Sequence, residues 1–190
     1  MLRIHQQTEE DLIEKCRKGD VKAQKEIYER YSPRMYGVCL RYMKDRHTAE
    51  DILITGFMKV YDHLHQFKFE GSFEGWVRRI IVNEALSHIR KNKNFYLEKD
   101  IEVVETMTDF DTSGNKLEQE DLLKMISELP EGYRTVFNMY AIEGYSHKEI
   151  SSQLGINENT SKSQLSRARA MLRNQLVESE NRIKQKLARL

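Results

Sequence analysis

The sequence predicts an all-α protein built as two small helical domains joined by an acidic linker. Three observations carry this. Only two prolines, Pro33 and Pro130, interrupt 190 residues. Long apolar periods at helical spacing run through both halves of the chain. Between residues 95 and 116 the periodicity fails and acidic residues accumulate. At this length the chain has room for one domain or two small ones, and 39% hydrophobic residues are enough for small cores.

The first helix covers Glu9 to Lys18, with Thr8 as its N-cap and Gly19-Asp20 as its stop. A second begins near Asp20 and places Ala23, Ile27 and Tyr31 on one face. Pro33 interrupts or re-caps it, and it resumes through Met35, Val38, Cys39 and Tyr42. "DRHTAEDILITGFMKVYDHLHQF" is a third helix, in which Ala49, Leu53, Phe57, Val60 and Leu64 fall at steps of four, four, three and four. That is an amphipathic stripe, with Glu50, Asp51, Lys59 and Asp62 off it. After the break "KFEGS" a fourth helix runs from about Phe73 to Lys93, with Trp76, Val77, Ile80, Ile81 and Ile89 as its apolar members. Phe95 to Lys116 is too polar to bury itself and reads as the linker. The second domain opens with a helix from Leu117 to Glu128 carrying Leu122, Met125 and Ile126, followed by Leu129. Pro130 suits the start of the next helix, where its missing N–H is not needed. That helix passes Val136, Phe137 and Tyr140 and ends at Gly144.

"SHKEISSQLGINENTSKSQLSRARAML" then reads as two helices around a tight turn. Ser146 and Glu149 form a capping box, Ile150 and Leu154 face inward, Gly155 permits the turn and Ile156 plugs the elbow. Asn157 caps the second helix, whose inner face is Leu165, Ala168 and Leu172. Lys162, Ser163, Gln164, Ser166, Arg167 and Arg169 are left facing outward. A helix that enters the major groove needs this mixture: hydroxyls for close approach, Gln and Arg for base edges, Lys and Arg for phosphates. An apolar residue is expected at position 161 to seat the helix, and the sequence has Ser161. The pattern is that of a helix-turn-helix, with an ordinary helical hairpin and a solvated basic face as the plainer reading.

The formal charge is only +1, so a bulk basic signal for nucleic acid is absent. Charge is instead sorted along the chain. Glu98 to Asp121 holds nine acidic residues against Lys99 and Lys116, and Lys162 to Leu190 holds eight basic ones against Glu178 and Glu180. In the first half, Phe69, Phe73 and Trp76 are interleaved with Arg78, Arg79, Asn83, His88, Arg90, Lys91 and Lys93. Rings stack on unpaired bases and cations track phosphates, although Phe73 and Trp76 at helical spacing also suit a core.

Other chemistries find little footing. Cys16 and Cys39 match no paired-ligand spacing and read as buried, inert thiols. His63 and His65 are two apart and point in different directions on a helix, so no metal site is expected. No glycine-rich phosphate loop or nucleophile–base pairing is readable; neither an enzymatic activity nor a cofactor is expected. The N-terminus has no signal-like apolar stretch and no run approaches membrane-span length, so a soluble, cytoplasmic protein without membrane insertion is expected.

"GDVKAQKEIYERY", "AEDILITGFMKVY", "FEGSFEGWVRRIIVNEAL", "LPEGYRTVFNMYAIEGYSHKEI" and "SKSQLSRAR" together resemble the bacterial sigma factors of the extracytoplasmic-function (ECF) group, from about Glu9 to Leu176. The resemblance implies a region-two domain over 9–94, the linker over 95–116, a region-four domain over 117–177 and a basic tail over 178–190. It implies core RNA polymerase and promoter DNA as partners and leaves room for an anti-sigma factor. Glu50, Asp51, Phe57 and Lys59 match the pattern that docks on the polymerase clamp helices, while Ile54-Thr55 stands where relatives usually carry Gln-Glu. Asn83 matches the position associated with the flipped base of the minus-ten element, and the loop from Phe67 to Ser72 matches the loop that cups that base. Phe69, Ser72, Trp76, Arg78, Arg79, His88, Arg90 and Lys91 complete the minus-ten and melting surface. Lys162, Ser163, Gln164 and Arg167 match the minus-thirty-five surface, which Ser166 and Arg169 extend. The acidic linker would thread towards the polymerase cleft and RNA exit path.

Two other functions fit parts of the chain. A conventional helix-turn-helix activator or repressor would need a ligand pocket, a receiver-like β/α pattern or a dimer helix in its first half, and none is readable. A helical adaptor without DNA contact leaves the charge-sorted second helix unexplained.

Overall fold

The computed structural model describes residues 8–91 and 119–187, which hold helices and turns and no strand among them. The expected linker over 95–116, Lys93, and the start of the second domain at 117 and 118 lie outside the described residues. The chain divides into two compact units, Met1–His88 and Ile89–Leu190, with the boundary inside one helix.

In the first unit, α1 (Glu9–Arg17) opens on a capping box. The Thr8 hydroxyl accepts the Asp11 N–H at 3.1 Å and the Asp11 carboxylate accepts the Thr8 N–H at 3.4 Å. α2 (Val21–Tyr42) is capped by Asp20, which accepts the N–H groups of Lys22 and Ala23 at 2.8 and 3.1 Å. α2 is not interrupted at Pro33, contrary to the expected break. Pro33 and residue 29, whose carbonyl loses its usual donor, are both exposed, and water can serve that carbonyl. α3 (Arg46–His63) starts on Asp45, which accepts the Thr48 N–H at 2.7 Å, and passes into a 3-10 turn, Leu64–Gln66. A six-residue loop then leads to α4 (Phe73–Lys91).

The predicted stripe of α3 is buried: Ala49, Leu53, Phe57, Val60 and Leu64 are all at most 6% exposed. Leu12, Ile13 and Cys16 of α1, Ile27, Met35 and Cys39 of α2, and Val77 and Ile81 of α4 are buried with them. Each large side chain so covered stabilises the fold by roughly 1.5–3 kcal/mol relative to exposure. Gly56 lets α3 and α4 approach closely, because a Cβ there would meet Ile81 Cδ1. Both cysteines are free and buried, and burial raises their thiols to about 11 for Cys16 and about 12 for Cys39.

In the second unit, α5 (Gln119–Glu128) and α6 (Glu131–Phe137) join at Pro130, the residue just before α6. Arg134 is buried and donates to the carbonyls of Ser127 and Leu129 at 3.2 and 3.0 Å, closing the open C-terminal end of α5. α6 does not continue to Gly144 as an α-helix. Asn138–Ile142 form a π-helical turn. α7 (His147–Leu154) and α8 (Glu158–Leu187) follow. The core gathers Ile126, Leu129, Tyr133, Ala168 and Leu172, with Met125, Phe137 and Met171 at its edge. α8 runs on to Leu187, so most of the basic tail extends the last helix.

Candidate nucleic-acid interface

The helix pair of the second unit forms as its local chemistry dictates. The Ser146 hydroxyl accepts the Glu149 N–H at 3.3 Å, and the Glu149 carboxylate takes the Ser146 N–H at 2.8 Å. α7 ends on Gly155 at φ 69°, a left-handed position that a side chain disfavours. Asn157 Oδ1 accepts the Thr160 N–H at 2.7 Å and starts α8. Ile150 and Leu154 face inward and are buried, as the spacing required.

On α8, Lys162, Ser166 and Arg169 are exposed at steps of four and three, forming one outward stripe. Ser163 and Arg167 are half-buried beside it, and Ser163 Oγ donates to the Thr160 carbonyl at 3.0 Å. Gln164 corrects the expectation. It is only 9% exposed, its amide lies against Gly132, and its Oε1 is buried without a hydrogen-bond partner. The reason is helical phase: Gln164 stands four and eight residues before the buried Ala168 and Leu172. Ser161 is the other surprise. It is fully buried, and its Oγ lies 2.9 Å from Nδ1 of His147. The seat expected to be apolar is thus a polar bridge from α8 to α7. His147 in turn stacks on Tyr140 with centroids 4.6 Å apart, and the Arg169 guanidinium lies 5.8 Å from the Tyr140 ring. Burial, then the nearby Lys162 and Arg169 charges, lowers the His147 pKa from its ordinary 6.5.

In the first unit, Trp76, Arg79 and Asn83 share one face of α4 at steps of three and four. Arg79 and Asn83 are exposed and Trp76 half-buried; Arg90, past the unit boundary on the same helix, continues the phase seven residues on. Lys91 is exposed nearby in phase, whereas Arg78 and His88 fall on other sides of the helix and are half-buried. An aromatic cluster underlies the loop before α4. Phe67 lies 5.1 Å from Phe73, 5.5 Å from Trp76 and 5.2 Å from Phe69. Phe73 is buried, while Phe69 is 38% exposed and held at φ 59°. A bulky residue in that left-handed region costs about 1–3 kcal/mol and needs surroundings that enforce it. Ser72 is exposed, and its hydroxyl accepts the Gly75 N–H at 3.3 Å in the first turn of α4.

The α3 surface separates into two kinds of residue. Glu50, Asp51 and Lys59 are exposed. The Tyr36 hydroxyl approaches the Glu50 carboxylate at 3.4 Å, His47 lies 3.8 Å from Asp51, and Lys59 is paired with Glu84 of α4. Phe57, which the resemblance sets among the docking residues, is not on the surface. It is 2% exposed and packs edge-on against Tyr28 at 4.9 Å, as its place in the apolar stripe dictates. Ile54 and Met58, one turn apart, are instead the exposed apolar side chains of this helix, at 54% and 62%. Ile54 lines an open groove of about 440 Å³ with Tyr28, Pro33, Tyr36, Glu50 and Leu53.

Two conserved-family descriptions match separate halves of the chain: Sigma-70 region 2 over residues 27–95 and Sigma-70, region 4 over residues 119–172. The ECF RNA polymerase sigma factor SigW of Bacillus subtilis is 30% identical over 176 residues, covering 86% of this chain and 94% of its own length. The chain belongs to the ECF sigma factors. The ECF RNA polymerase sigma-E factor of Haemophilus influenzae is 28% identical and covers 90% of this sigma factor and 96% of itself. Among solved structures, a sigma factor bound to an anti-sigma factor from Bartonella quintana is similar at a TM-score of 0.49 and 23% identity, covering 82% of this chain and 98% of that one. As a sigma factor, the protein is a transcription initiation factor and not an enzyme. Among the described residues of this sigma factor no helix is long and apolar enough to cross a membrane.

Three residues of these surfaces escaped the sequence. Tyr140 was read only as a residue of the helix before Gly144 and His147 was given no role, and the bridge through Ser161 joins positions fourteen apart. Arg17 carried no signal at all: its backbone partners, Leu64 in the 3-10 turn and Phe67 in the loop, are 47 and 50 residues away.

Proposed function

We propose that this sigma factor binds core RNA polymerase in the cytoplasm, directs it to promoters through a minus-ten and a minus-thirty-five element, and promotes melting of the minus-ten element. The observation that carries the reading is the face of α4. There an exposed amide, Asn83, and a cation, Arg79, share a stripe with Trp76, beside a loop whose Phe69 ring reaches solvent. An extruded base needs hydrogen bonds to its edge and walls to replace lost stacking. An amide offers both donor and acceptor, and the aromatic loop offers a wall. Ser72 lies in the loop beside this surface and Arg90 and Lys91 further along α4 would hold the backbone, while Arg78 and His88, on other sides of the helix, would support it from behind.

In the second unit, Lys162, Ser166 and Arg169 form the outward face that would meet duplex DNA, with Ser163 and Arg167 beside it. Gln164 supports the helix seat from within. Glu50, Asp51, Lys59 and the exposed Ile54 would meet the polymerase, with Phe57 holding α3 in place beneath them. The apolar Ile54 gives that docking surface a hydrophobic element where an amide is usual in the group.

Run-off transcription with purified core polymerase and a promoter library tests the reading. The expected result is initiation from a subset of templates that share two spaced elements. A protein that neither binds core enzyme nor directs initiation from any template is not acting as proposed.

A further inference from the structure

We propose that Arg17, at the end of α1, is a positioning residue that holds the loop 67–72 in the shape needed to wall the minus-ten base pocket. This rests on the proposed role of that loop.

The Arg17 side chain grips the backbone on both sides of the 3-10 turn that leads into the loop. Its Nε donates to the Leu64 carbonyl at 3.2 Å, and its Nη2 donates to the Phe67 carbonyl. Nη1 is paired with Glu14 at 2.6 Å, which fixes the plane of the guanidinium. Its Cζ lies over the Phe69 ring, 4.9 Å from the ring centroid. One group therefore ties down the first residue of the 3-10 turn, the residue that enters the loop, and the ring at its tip. Phe67 is anchored from below by Phe73 and Trp76, so the floor of the loop is set by the aromatic cluster. The tip is different. Phe69 sits at φ 59° with its ring partly in solvent, a conformation that persists only where several constraints converge. Arg17 supplies them through a planar fork and a cation face that a lysine cannot reproduce. α1 thus takes part in promoter reading without touching DNA.

The test compares holoenzymes carrying Arg17→Lys, Asn83→Ala or the unaltered chain. Each binds single-stranded minus-ten oligonucleotides with each of the four bases at the extruded position. Arg17→Lys should lower discrimination among the four bases by about tenfold, the scale of one lost base contact. Its core-polymerase binding and helical circular dichroism should be unchanged. Trp76, the single tryptophan of the chain, reports the loop directly, and its quenching by acrylamide should rise in the free Arg17→Lys protein. A folded Arg17→Lys protein with unaltered discrimination and quenching overturns the inference. If Arg17→Lys does not fold, Glu14→Gln loosens the same guanidinium. Reduced discrimination there supports the role and unaltered discrimination overturns it. The two layers separate cleanly. If Asn83→Ala removes base preference and Arg17→Lys does not, only the role of Arg17 falls. If the unaltered holoenzyme shows no preference at any position, the base-pocket reading itself falls.

Discussion

Asn83 is exposed on the outward stripe of α4, so its side chain is spare as far as folding is concerned. Asn83→Ala should therefore cost no more than about 0.5 kcal/mol of stability. It should leave core-polymerase affinity intact and change base preference at one minus-ten position. Loss of core binding, measured by competition against the unaltered protein, would make Asn83 a structural residue instead. His147 gives a prediction with a sign. Its folded pKa lies below the ordinary 6.5, through burial and the charges of Lys162 and Arg169 opposed by Glu158. The unfolded chain then binds the extra proton more readily, so stability falls as pH drops through about 6.5 and below. Thermal unfolding followed from about pH 7 to about pH 5 should show this loss, and His147→Gln should flatten it. An equal slope in both proteins would place the titrating group elsewhere. At this scale the sequence was legible where spacing decides and misleading where phase was misassigned. Phe57 lay in the apolar stripe of α3 from the outset, and the same periodicity buries it. Gln164 looked outward by its chemistry, yet it shares the phase of Ala168 and Leu172. Phe69 at positive φ could not be foreseen, because its ring meets Arg17, 52 positions away, and such a contact leaves no local trace.

The elements were readable wherever a short-range rule closes locally. Asp20, Ser146 and Asn157 are caps that need only the next three residues, and the structure forms each of them. Gly155 belongs to the same class. At φ 69° it ends α7, and Gly155→Ala should destabilise the helix pair by about 1 kcal/mol, seen as a lower unfolding midpoint. No shift would mean that the turn relaxes into another conformation. Two elements broke local rules for reasons that lie in their surroundings. α2 runs through Pro33 because the carbonyl it strands faces solvent while the opposite face packs Ile27, Met35 and Val38. The π-helical turn at Asn138–Ile142 widens the end of α6, where Tyr140 is exposed and meets His147 and Arg169. Such a turn inserts a residue into the ladder without any composition signature.

At the scale of the whole molecule, net charge says little: a chain at +1 hides cations concentrated on a few surfaces. Those surfaces are expected to grip different forms of DNA, and salt distinguishes them. In holoenzyme–promoter binding, Lys162→Ala should reduce the slope of log affinity against log salt by about 0.9, the duplex value. Arg79→Ala should reduce it by about 0.7, the single-strand value. The double variant should show the sum, since the two residues act at separate places. An unchanged slope for either variant would remove that residue from the phosphate grip. The two-domain organisation was read from the failure of periodicity after residue 94 and its return near Leu117. The division of labour was not, because it depends on which faces remain open after packing.

The two cysteines carry a last consequence. With thiols raised to about 11 and about 12, the reactive thiolate is a fraction of about one in ten thousand or less at neutral pH. Burial keeps both thiols protonated and out of solvent, which disfavours their attack by oxidants that strike thiolates. The same inertness leaves the outer surface blank for maleimide chemistry. A single cysteine introduced on an exposed helix position can carry a fluorophore without first removing Cys16 and Cys39.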